Sequence, residues 1–393
     1  MSNSIVILGA ARTPLGAFQG DFASLSANDL GGAAIRAAVE RSGISADKVD
    51  ELLFGNCLMA GQGQAPARQA GFKGGLPAST GAVTLSKMCG SAMEAVMLAN
   101  DQLLAGSRDV MVAGGMESMT NAPYLLLKGR SGMRIGHDRV YDHMMLDGLE
   151  DAYEPGRAMG TFGEQCAEKY HFSRQAQDEF ATTSVQRAKA ATASGGFKDE
   201  ITPVTAKGRA GDTVISIDEG PGKVKLEKIP LLKPAFKKDG TITAASSSSI
   251  NDGAAALVLT RASTAKELGA TPIARIVGHA TFAQEPEWFT TAPVGAVKKL
   301  LKKIGWSVKD VDLWEVNEAF AVVPMAAMKE LGISHDILNV NGGACALGHP
   351  IGCSGARIIV TLLYAMKARG LKKGIATLCI GGGEGTAIAI EML

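Results

Sequence analysis

Two stretches of sequence decide the fold: GAAIRAAVERSGISADKVD at residues 32–50 and VGAVKKLLKKIGWSVKDVD at residues 294–312. They align without a gap. In each, apolar residues recur at helical spacing, and a glycine, Gly43 or Gly305, stands where the helix should end. An apolar run follows each stretch, which predicts a buried strand. The chain is therefore predicted to contain two similar halves.

A second pair of segments supports the duplication. Small residues at 89–92 and at 353–356 each lead through a helical pattern to an apolar strand and then to consecutive glycines. Any two βα units can resemble each other, but four features in the same order favour a true repeat. Alternating strands and helices predict an α/β fold with largely buried sheets. The apolar run AAALVLT at residues 254–260 predicts a central strand.

The middle of the chain differs from both halves. It is richer in glycine and charged residues, and it holds two helical patterns around residues 160–194, followed by a turn-rich run. We interpret it as an insertion. The predicted organisation is a first half over residues 1–119 and 251–271, an inserted loop domain over residues 120–250, and a second half over residues 272–393.

Composition indicates an ordinary globular protein. Of 393 residues, 46% are hydrophobic and 20% are charged, and the net charge is +1. This balance predicts neither nucleic acid nor an anionic membrane as the main partner. The sequence contains no apolar run long enough to span a membrane and no recognisable secretory or peroxisomal signal. A cytoplasmic location is the resulting expectation.

The six cysteines are Cys57, Cys89, Cys166, Cys345, Cys353 and Cys379. They are scattered, and no two form a CxxC pair, so the sequence predicts neither a zinc site nor a disulfide framework. Most are expected to be small buried hydrophobic residues. A reactive cysteine must therefore be recognised by its surroundings.

Four segments carry candidate chemistry: residues 85–95 (LSKMCGSAMEA), 316–320 (VNEAF), 341–357 (NGGACALGHPIGCSGAR) and 379–385 (CIGGGEG). Three of them follow runs that are typical of strands. Open α/β sheets place their ligand crevices at such strand ends. These segments are therefore candidates for one common site.

Two residues in these segments suggest nucleophilic catalysis. Cys89 stands near a predicted helix start among small residues, where free N–H groups favour a thiolate. A lone cysteine is more often inert and buried. His349, between glycine and proline, is a candidate base for Cys89, although a structural turn histidine is the simpler interpretation of that residue alone.

The other two segments supply candidate donors and acids. Cys379 precedes three glycines whose N–H groups could hold an oxyanion. A phosphate-binding loop is the alternative, but the run lacks the GxxxxGK[ST] pattern, and no GxGxxG supports a nicotinamide site. Asn317 could cap the next helix or order a water beside a reacting carbonyl.

These segments together resemble the thiolase family, which contains acetyl-CoA C-acetyltransferases and 3-ketoacyl-CoA thiolases. The resemblance covers essentially the whole chain. It implies a five-layered αβαβα fold in which each half holds a mixed five-stranded sheet and the first half carries an inserted loop domain that binds CoA. It also implies a homo-oligomer, either a dimer or a dimer of dimers, with a homotetramer frequent in bacteria.

The resemblance also implies residue roles. Cys89 would be the acylated nucleophile, His349 the group that activates it, and Cys379 the acid/base at the α-carbon. Asn317, through a water, would form one oxyanion hole with His349, and the N–H groups of Cys89 and Gly381 would form the other. The implied reaction is the reversible Claisen condensation of two acetyl-CoA, or thiolysis of a 3-oxoacyl-CoA, in fatty acid metabolism.

The implied partners are acetyl-CoA, CoA and 3-oxoacyl-CoA, with no metal and no bound redox cofactor. The residues implied to contact the substrate are Ser248, Phe236, Phe289, Phe320, Met159 and Ala158. Short-chain members of the family usually have a histidine where this chain has Ala158. This departure predicts some tolerance of longer acyl chains. No arginine near Gly222 and Lys223 matches the one that helps bind CoA phosphates in some relatives.

Two alternatives remain at this point. A 3-oxoacyl synthase of the same superfamily pairs one cysteine with two histidines, and the CIGGGEG segment argues against it. A thiolase-like lipid-binding protein without activity predicts loss of the nucleophile or base, whereas both are present in this sequence.

Overall fold

The structure is a computed structural model that describes residues 4–208 and 211–393. Met1–Asn3 of the N-terminal segment and two residues of the turn-rich run, at 209 and 210, lie outside the described residues. None of the described helices combines the length and apolar character that crossing a membrane requires.

The first half alternates strands and helices, as its apolar periodicity predicts. Helix α1 begins at a capping box in which Ser26 and Asp29 bond each other's backbone N–H groups. The elements up to the insertion are β1 (Ile5–Arg12), β2 (Gly16–Ala17), α1 (Ala27–Ser42), β3 (Glu51–Gly55), α2 (Pro66–Lys73), β4 (Gly81–Leu85), α3 (Ser91–Leu104) and β5 (Val110–Ser118).

The segment between β5 and β10 contains short strands and two longer helices. Its strands pair only with each other within the described residues, as hairpins β6–β7 and β8–β9. The elements are β6 (Tyr124–Leu125), β7 (Tyr141–Asp142), α4 (Gly160–Tyr170), α5 (Arg174–Ser194), β8 (Val204–Ala206), β9 (Thr213–Ile215) and α6 (Glu219–Lys223). Helices α4 and α5 confirm the two helical patterns, while the 119/120, 250/251 and 271/272 boundaries stay predictions.

The remainder returns to the main sheet and then repeats the pattern of the first half. The elements are β10 (Asn251–Arg261), α7 (Ala262–Glu267), β11 (Ala274–Ala283), α8 (Ala292–Ile304), β12 (Leu313–Val316), α9 (Val322–Leu331), α10 (Ala344–Leu347), α11 (Ser354–Arg369), β13 (Lys373–Ile380) and β14 (Glu384–Met392).

The main strands form one mixed sheet in the order β12-β13-β14-β11-β1-β10-β5-β3-β4. The five strands on the β1 side belong to the first half, and the four on the β11 side belong to the second. The two sides of the sheet pair through Val6 opposite Arg275 and Ile7 opposite Ala274. In the second half, a single bridge between Trp314 and Leu338 stands where the first half has its fifth strand.

Three large clusters of buried side chains define the layers. The central cluster combines α3 and α11 with strand residues from both halves. A second cluster joins α8 and α9 to the strands of the second half. The third joins α1 and α2 to the strands of the first half. The first-half and second-half parts of the sheet pack on different outer helices and so form separate layers. The order is therefore helix, sheet, helix, sheet, helix, which confirms the five-layered αβαβα fold.

The duplication is visible in matched details. Helices α1 and α8 both end at a glycine in the left-handed region, Gly43 with φ 72° and Gly305 with φ 70°. Strand β3 follows α1, and β12 follows α8. The central helices α3 and α11 each lead into an inner strand, β5 and β13 respectively. Two similar halves, as the sequence predicts, therefore build the molecule.

Candidate active site

Cys89 lies in a tight turn between β4 and α3, two residues before the helix begins. The preceding Met88 has φ 46°, a left-handed conformation that residues other than glycine rarely adopt. Ser91 braces the turn, because its hydroxyl donates to the Met88 carbonyl at 2.6 Å and accepts from the Lys87 N–H at 2.8 Å. A strained backbone held by its neighbours is typical of a functional site.

The electrostatics of Cys89 differ from the sequence-based expectation of a stabilised thiolate. Burial raises the pKa of Cys89 to about 11, while hydrogen bonds from the backbone N–H groups of Gly381 and Cys89 itself oppose that rise. The group is therefore a thiol at neutral pH, and its activation requires a base nearby.

His349 is the candidate for that base, because it presents a neutral ring nitrogen at the cavity. Its side chain is buried, and Nδ1 lies 2.5 Å from the Ser354 hydroxyl. The Pro350 carbonyl accepts from the Ser354 hydroxyl at 3.0 Å, and with that proton placed there the histidine–serine bond takes Nδ1–H as its donor. Nε2 is then unprotonated, and no hydrogen-bond partner satisfies it. Burial and the charge of Arg357 lower the pKa of His349 to about 3, which keeps the ring neutral.

Cys379 lies one residue before the end of strand β13, beside the nucleophile turn. It is buried, and burial together with the neighbouring Cys89 raises its pKa well above the usual thiol value. The next residue, Ile380, packs so closely on Gly90 that a Cβ there would lie 2.4 Å from its Cδ1. The glycine at 90 therefore permits the close contact between β13 and the Cys89 turn.

Asn317 follows β12, and its amide has a defined orientation. Oδ1 accepts from Nη2 of the fully buried Arg357 at 3.4 Å. Because a guanidinium has only donors, Oδ1 must face it, and Nδ2 then faces the other way. Nδ2 is buried and has no partner. It is available to donate to a ligand or to a water.

A serine-rich loop connects these segments. The Ser248 N–H donates to the Ala319 carbonyl at 2.9 Å, and the His349 N–H donates to the Ser249 carbonyl at 3.2 Å. The loop at residues 245–250 thus bonds to both the VNEAF segment and the His349 turn. It fixes their relative positions.

One cavity of about 340 Å³ joins most of these groups. The lining residues are Met88, Cys89, Leu146, Asp147, Gly148, Leu149, Glu150, Asp151, Ala152, Tyr153, Met159, Ser248, Phe289, Ala319, Phe320, His349, Ile351, Gly381 and Gly382. Its size and mostly apolar wall are ordinary for a small-molecule site. The three segments that carry Cys89, His349 and Gly381 therefore converge on one opening.

Other residues singled out in the sequence do not line this cavity. The side chains of Cys379 and Asn317 are buried, each about 1% exposed, and neither belongs to the lining. Phe236 does not line the cavity but packs edge-on against Phe320, with ring centroids 5.8 Å apart. Ala158 does not line the cavity either, but its backbone forms a β-bridge with that of Glu150, which does.

Sequence reasoning missed one whole wall of the cavity. Residues 146–153 line it, and they include part of a π-helix at Met145–Leu149. Such π-turns occur often at functional sites, but no spacing rule reveals them in a sequence. His143 supports this wall, because Nδ1 lies 2.6 Å from Asp147.

Family models match nearly the whole chain. The thiolase N-terminal domain matches residues 5–263, and the thiolase C-terminal domain matches residues 270–392. The chain belongs to the thiolase family. This finding agrees with the resemblance seen in the four segments, and it favours a thiolase over a 3-oxoacyl synthase.

Similar thiolases are known from plants and bacteria. The chain is 48% identical to acetyl-CoA acetyltransferase 2 of Arabidopsis thaliana over 99% of this chain and 97% of the relative. It is 47% identical to an acetyl-CoA acetyltransferase of Thiocystis violacea over the full length of both. The crystal structure of the Bacillus anthracis acetyl-CoA acetyltransferase superposes with a TM-score of 0.97 at 41% identity, covering 100% of this chain and 99% of that one.

Proposed function

We propose that this thiolase is an acetyl-CoA acetyltransferase. It catalyses the reversible Claisen condensation of two acetyl-CoA to acetoacetyl-CoA, or thiolysis of a 3-oxoacyl-CoA, through an acyl-thioester on Cys89. The observation that carries the proposal is the convergence of Cys89, His349 and Gly381 on one cavity. The names of the similar proteins support the same substrate class.

Thiolysis begins with the protonation states that burial favours. Nε2 of His349 takes the proton of the Cys89 thiol, and the sulfur attacks the 3-keto carbonyl. The N–H groups of Cys89 and Gly381 stabilise the oxyanion that forms on this carbonyl. The bond between the α-carbon and the keto carbon then breaks, which leaves an acyl group on Cys89.

The departing fragment is the enolate of acetyl-CoA, and it needs a proton. Cys379 can supply one, since its raised pKa keeps the thiol protonated. Asn317, through a water, and His349 stabilise the enolate oxygen before that transfer. CoA then gives its thiol proton to the Cys379 thiolate and attacks the acyl group, and His349 returns its proton to the Cys89 sulfur as that sulfur leaves. Condensation reverses these steps, so Cys379 then acts as a thiolate base.

Two variants test the assignment of the nucleophile and the acid. Cys89→Ala is expected to abolish both partial reactions, while Cys379→Ala is expected to retain exchange of acetyl groups between CoA molecules at Cys89. Incubation with labelled acetyl-CoA and mass spectrometry of the protein measure acylation directly. An acetylated Cys89→Ala protein, or a wild type without thiolysis of acetoacetyl-CoA, contradicts the proposal.

The second part of the proposal concerns the length of the acyl chain that the enzyme accepts. Ala158 occupies the position of a larger residue in short-chain relatives, so we expect activity on acetoacetyl-CoA with measurable tolerance of longer chains. Thiolysis rates against 3-oxoacyl-CoAs of increasing length test this expectation. A sharp limit at acetoacetyl-CoA contradicts it. The reaction as proposed requires no metal and no bound redox cofactor.

A homo-oligomer, a dimer or a homotetramer, is part of the proposal. Strand β4 lies at one end of the main sheet with Val83 exposed, and an exposed sheet edge favours pairing with another chain. A second exposed apolar region in the insertion includes Leu127, Met133 and Ile135. A cytoplasmic location and a role in fatty acid metabolism stay predictions.

A further inference from the structure

A buried carboxylate, Glu117 of β5, lies behind the active site and is not used by the mechanism above. It accepts three hydrogen bonds from the turn after β3: 2.7 Å from Nδ2 of Asn56, 3.0 Å from the Cys57 N–H and 3.1 Å from the Leu58 N–H. The turn after β3 also supports the Cys89 turn, because the Cys57 thiol lies 3.1 Å from the carbonyl of Met88, the residue before Cys89.

The same carboxylate also reaches the second half of the molecule. The Gly352 N–H donates to Oε2 of Glu117 at 2.9 Å. Gly352 belongs to the turn that follows His349 and carries Ile351 of the cavity wall. A Cβ at Gly352 would lie 2.6 Å from the same oxygen, so the approach depends on glycine.

We propose that Glu117 is a positioning residue of the thiolase reaction, whose ionised carboxylate holds the His349 turn of one half against the Cys89 turn of the other. The inference rests on the proposed function. All four partners are donors, and only the ionised form accepts from every one. A protonated carboxyl presents an O–H toward a donor and loses at least one of these bonds.

The surroundings of Glu117 make its protonation sensitive to pH near neutrality. No lysine or arginine among the described residues forms an ion pair with Glu117. The titratable groups that interact electrostatically with its charge are the thiols of Cys57, Cys89 and Cys353. Burial raises the pKa of Glu117 to about 7, despite the backbone hydrogen bonds that oppose the rise. The carboxylate is therefore ionised above about pH 7 and is lost as the pH falls.

Because the carboxylate is lost as the pH falls, the rate of thiolysis is predicted to decrease on the acidic side of its pH profile. We call this decrease the acidic limb. The lowered pKa of His349, about 3, and the raised pKa values of the thiols place their titrations outside this range. Burial also raises the pKa of Glu315 to about 8, so the Glu117→Gln variant is needed to assign the limb. We expect the kcat of the wild type to decrease as the pH is lowered through about 7. KM should change little, because the carboxylate does not line the cavity.

The experiment compares the wild type with Glu117→Gln and with Glu51→Gln as a matched control. Glu51 is another buried carboxylate of the same sheet. It begins strand β3, whose other end leads into the turn that bonds Glu117, and it pairs with Arg108. Kinetics of acetoacetyl-CoA thiolysis are measured from about pH 5.5 to 9. Glu117→Gln should lower kcat roughly 10-fold or more at pH 8, keep KM within about 2-fold and lack the acidic limb. Glu51→Gln should keep the wild-type profile.

Each outcome bears on a different claim. A wild type without thiolysis contradicts the proposed function itself. An active wild type whose acidic midpoint lies well below pH 6 contradicts the role of Glu117, and this test does not depend on any variant folding. Persistence of the acidic limb in Glu117→Gln contradicts it as well. Glu117→Asp, which keeps the charge, should retain the limb at a reduced kcat.

Discussion

At the scale of single residues, the site depends on which atoms are left without a partner. Nε2 of His349 and Nδ2 of Asn317 are both buried and unsatisfied. A buried polar group without a partner destabilises the folded state by about 1–3 kcal/mol, and a ligand or a water that pairs with either atom removes that cost. In both cases a neighbour on α11 sets which atom is free: Ser354 for His349 and Arg357 for Asn317.

Arg357 gives the first prediction at this scale. Arg357→Met removes the donor that orients the Asn317 amide, so we expect kcat to fall roughly 10-fold while KM stays within about 2-fold. Burial raises the pKa of the nearby Glu315 to about 8, so loss of the guanidinium does not leave a full negative charge in the core. Steady-state kinetics and a thermal melt of each protein measure the two effects.

Lys367→Met, on the exposed end of the same helix, is the control for Arg357→Met. It should leave kcat at the wild-type value. An unchanged kcat in a folded Arg357→Met protein means that Asn317 does not need this arginine for its orientation.

The reactivity of Cys89 gives a second residue-scale prediction. Because its pKa is raised to about 11, alkylation of the unliganded protein by iodoacetamide should still be accelerating above pH 9. Prior acetylation by acetyl-CoA should block this reaction. Mass spectrometry of the modified peptide identifies the site. A rate that already levels off near neutral pH means that the thiolate is present in the free protein.

At the scale of secondary-structure elements, the duplicated helices end in the same way. Gly43 and Gly305 both have left-handed backbone angles, and a Cβ at either position would meet no atom within 4 Å. Space is therefore not the reason for glycine at these two positions. The reason is the conformational cost that a side chain adds in the left-handed region.

Glycine-to-alanine substitutions test this interpretation. Gly43→Ala and Gly305→Ala should each lower the free energy of unfolding by about 1–2 kcal/mol, and by similar amounts in the two halves. Gly222→Ala is the control, since Gly222 lies in α6 without a left-handed φ and without a near neighbour. Urea denaturation measures all three. Equal stability of the control and the two cap variants contradicts the conformational explanation.

At the scale of the whole molecule, two exposed features point to assembly. One is the sheet edge at β4, and the other is the apolar region around Ile135, whose side chain is 99% exposed. A single chain with both features exposes surfaces that favour self-association. The two regions are separate in sequence, so they can be disrupted independently.

The assembly prediction uses one variant in each region. Val83→Lys at the sheet edge should shift the protein to monomers, whereas Ile135→Asp should reduce a tetramer to dimers without lowering the melting temperature. Val214→Asp, at an exposed valine of β9, is the control and should leave the mass unchanged. Sedimentation equilibrium measures the masses. A wild type that is monomeric contradicts the proposed oligomer.

The sequence by itself determined the elements and the site segments. Periodic apolar residues and the glycines at 43 and 305 were enough to predict the duplicated halves, because helix ends and buried strands have local signatures. Cys89, His349 and Cys379 could be chosen because each sits among glycines or small residues at an element end. The resemblance to one family then joined them into one site.

Only the tertiary structure decided the protonation states of these residues and the cavity that they line. The protonation of His349, the raised pKa of Cys89 and the cavity wall at residues 146–153 depend on groups that are distant in the chain. Glu117 illustrates the reason. Its four donors come from two turns more than fifty residues to either side of it, and burial, which no local pattern records, determines its charge.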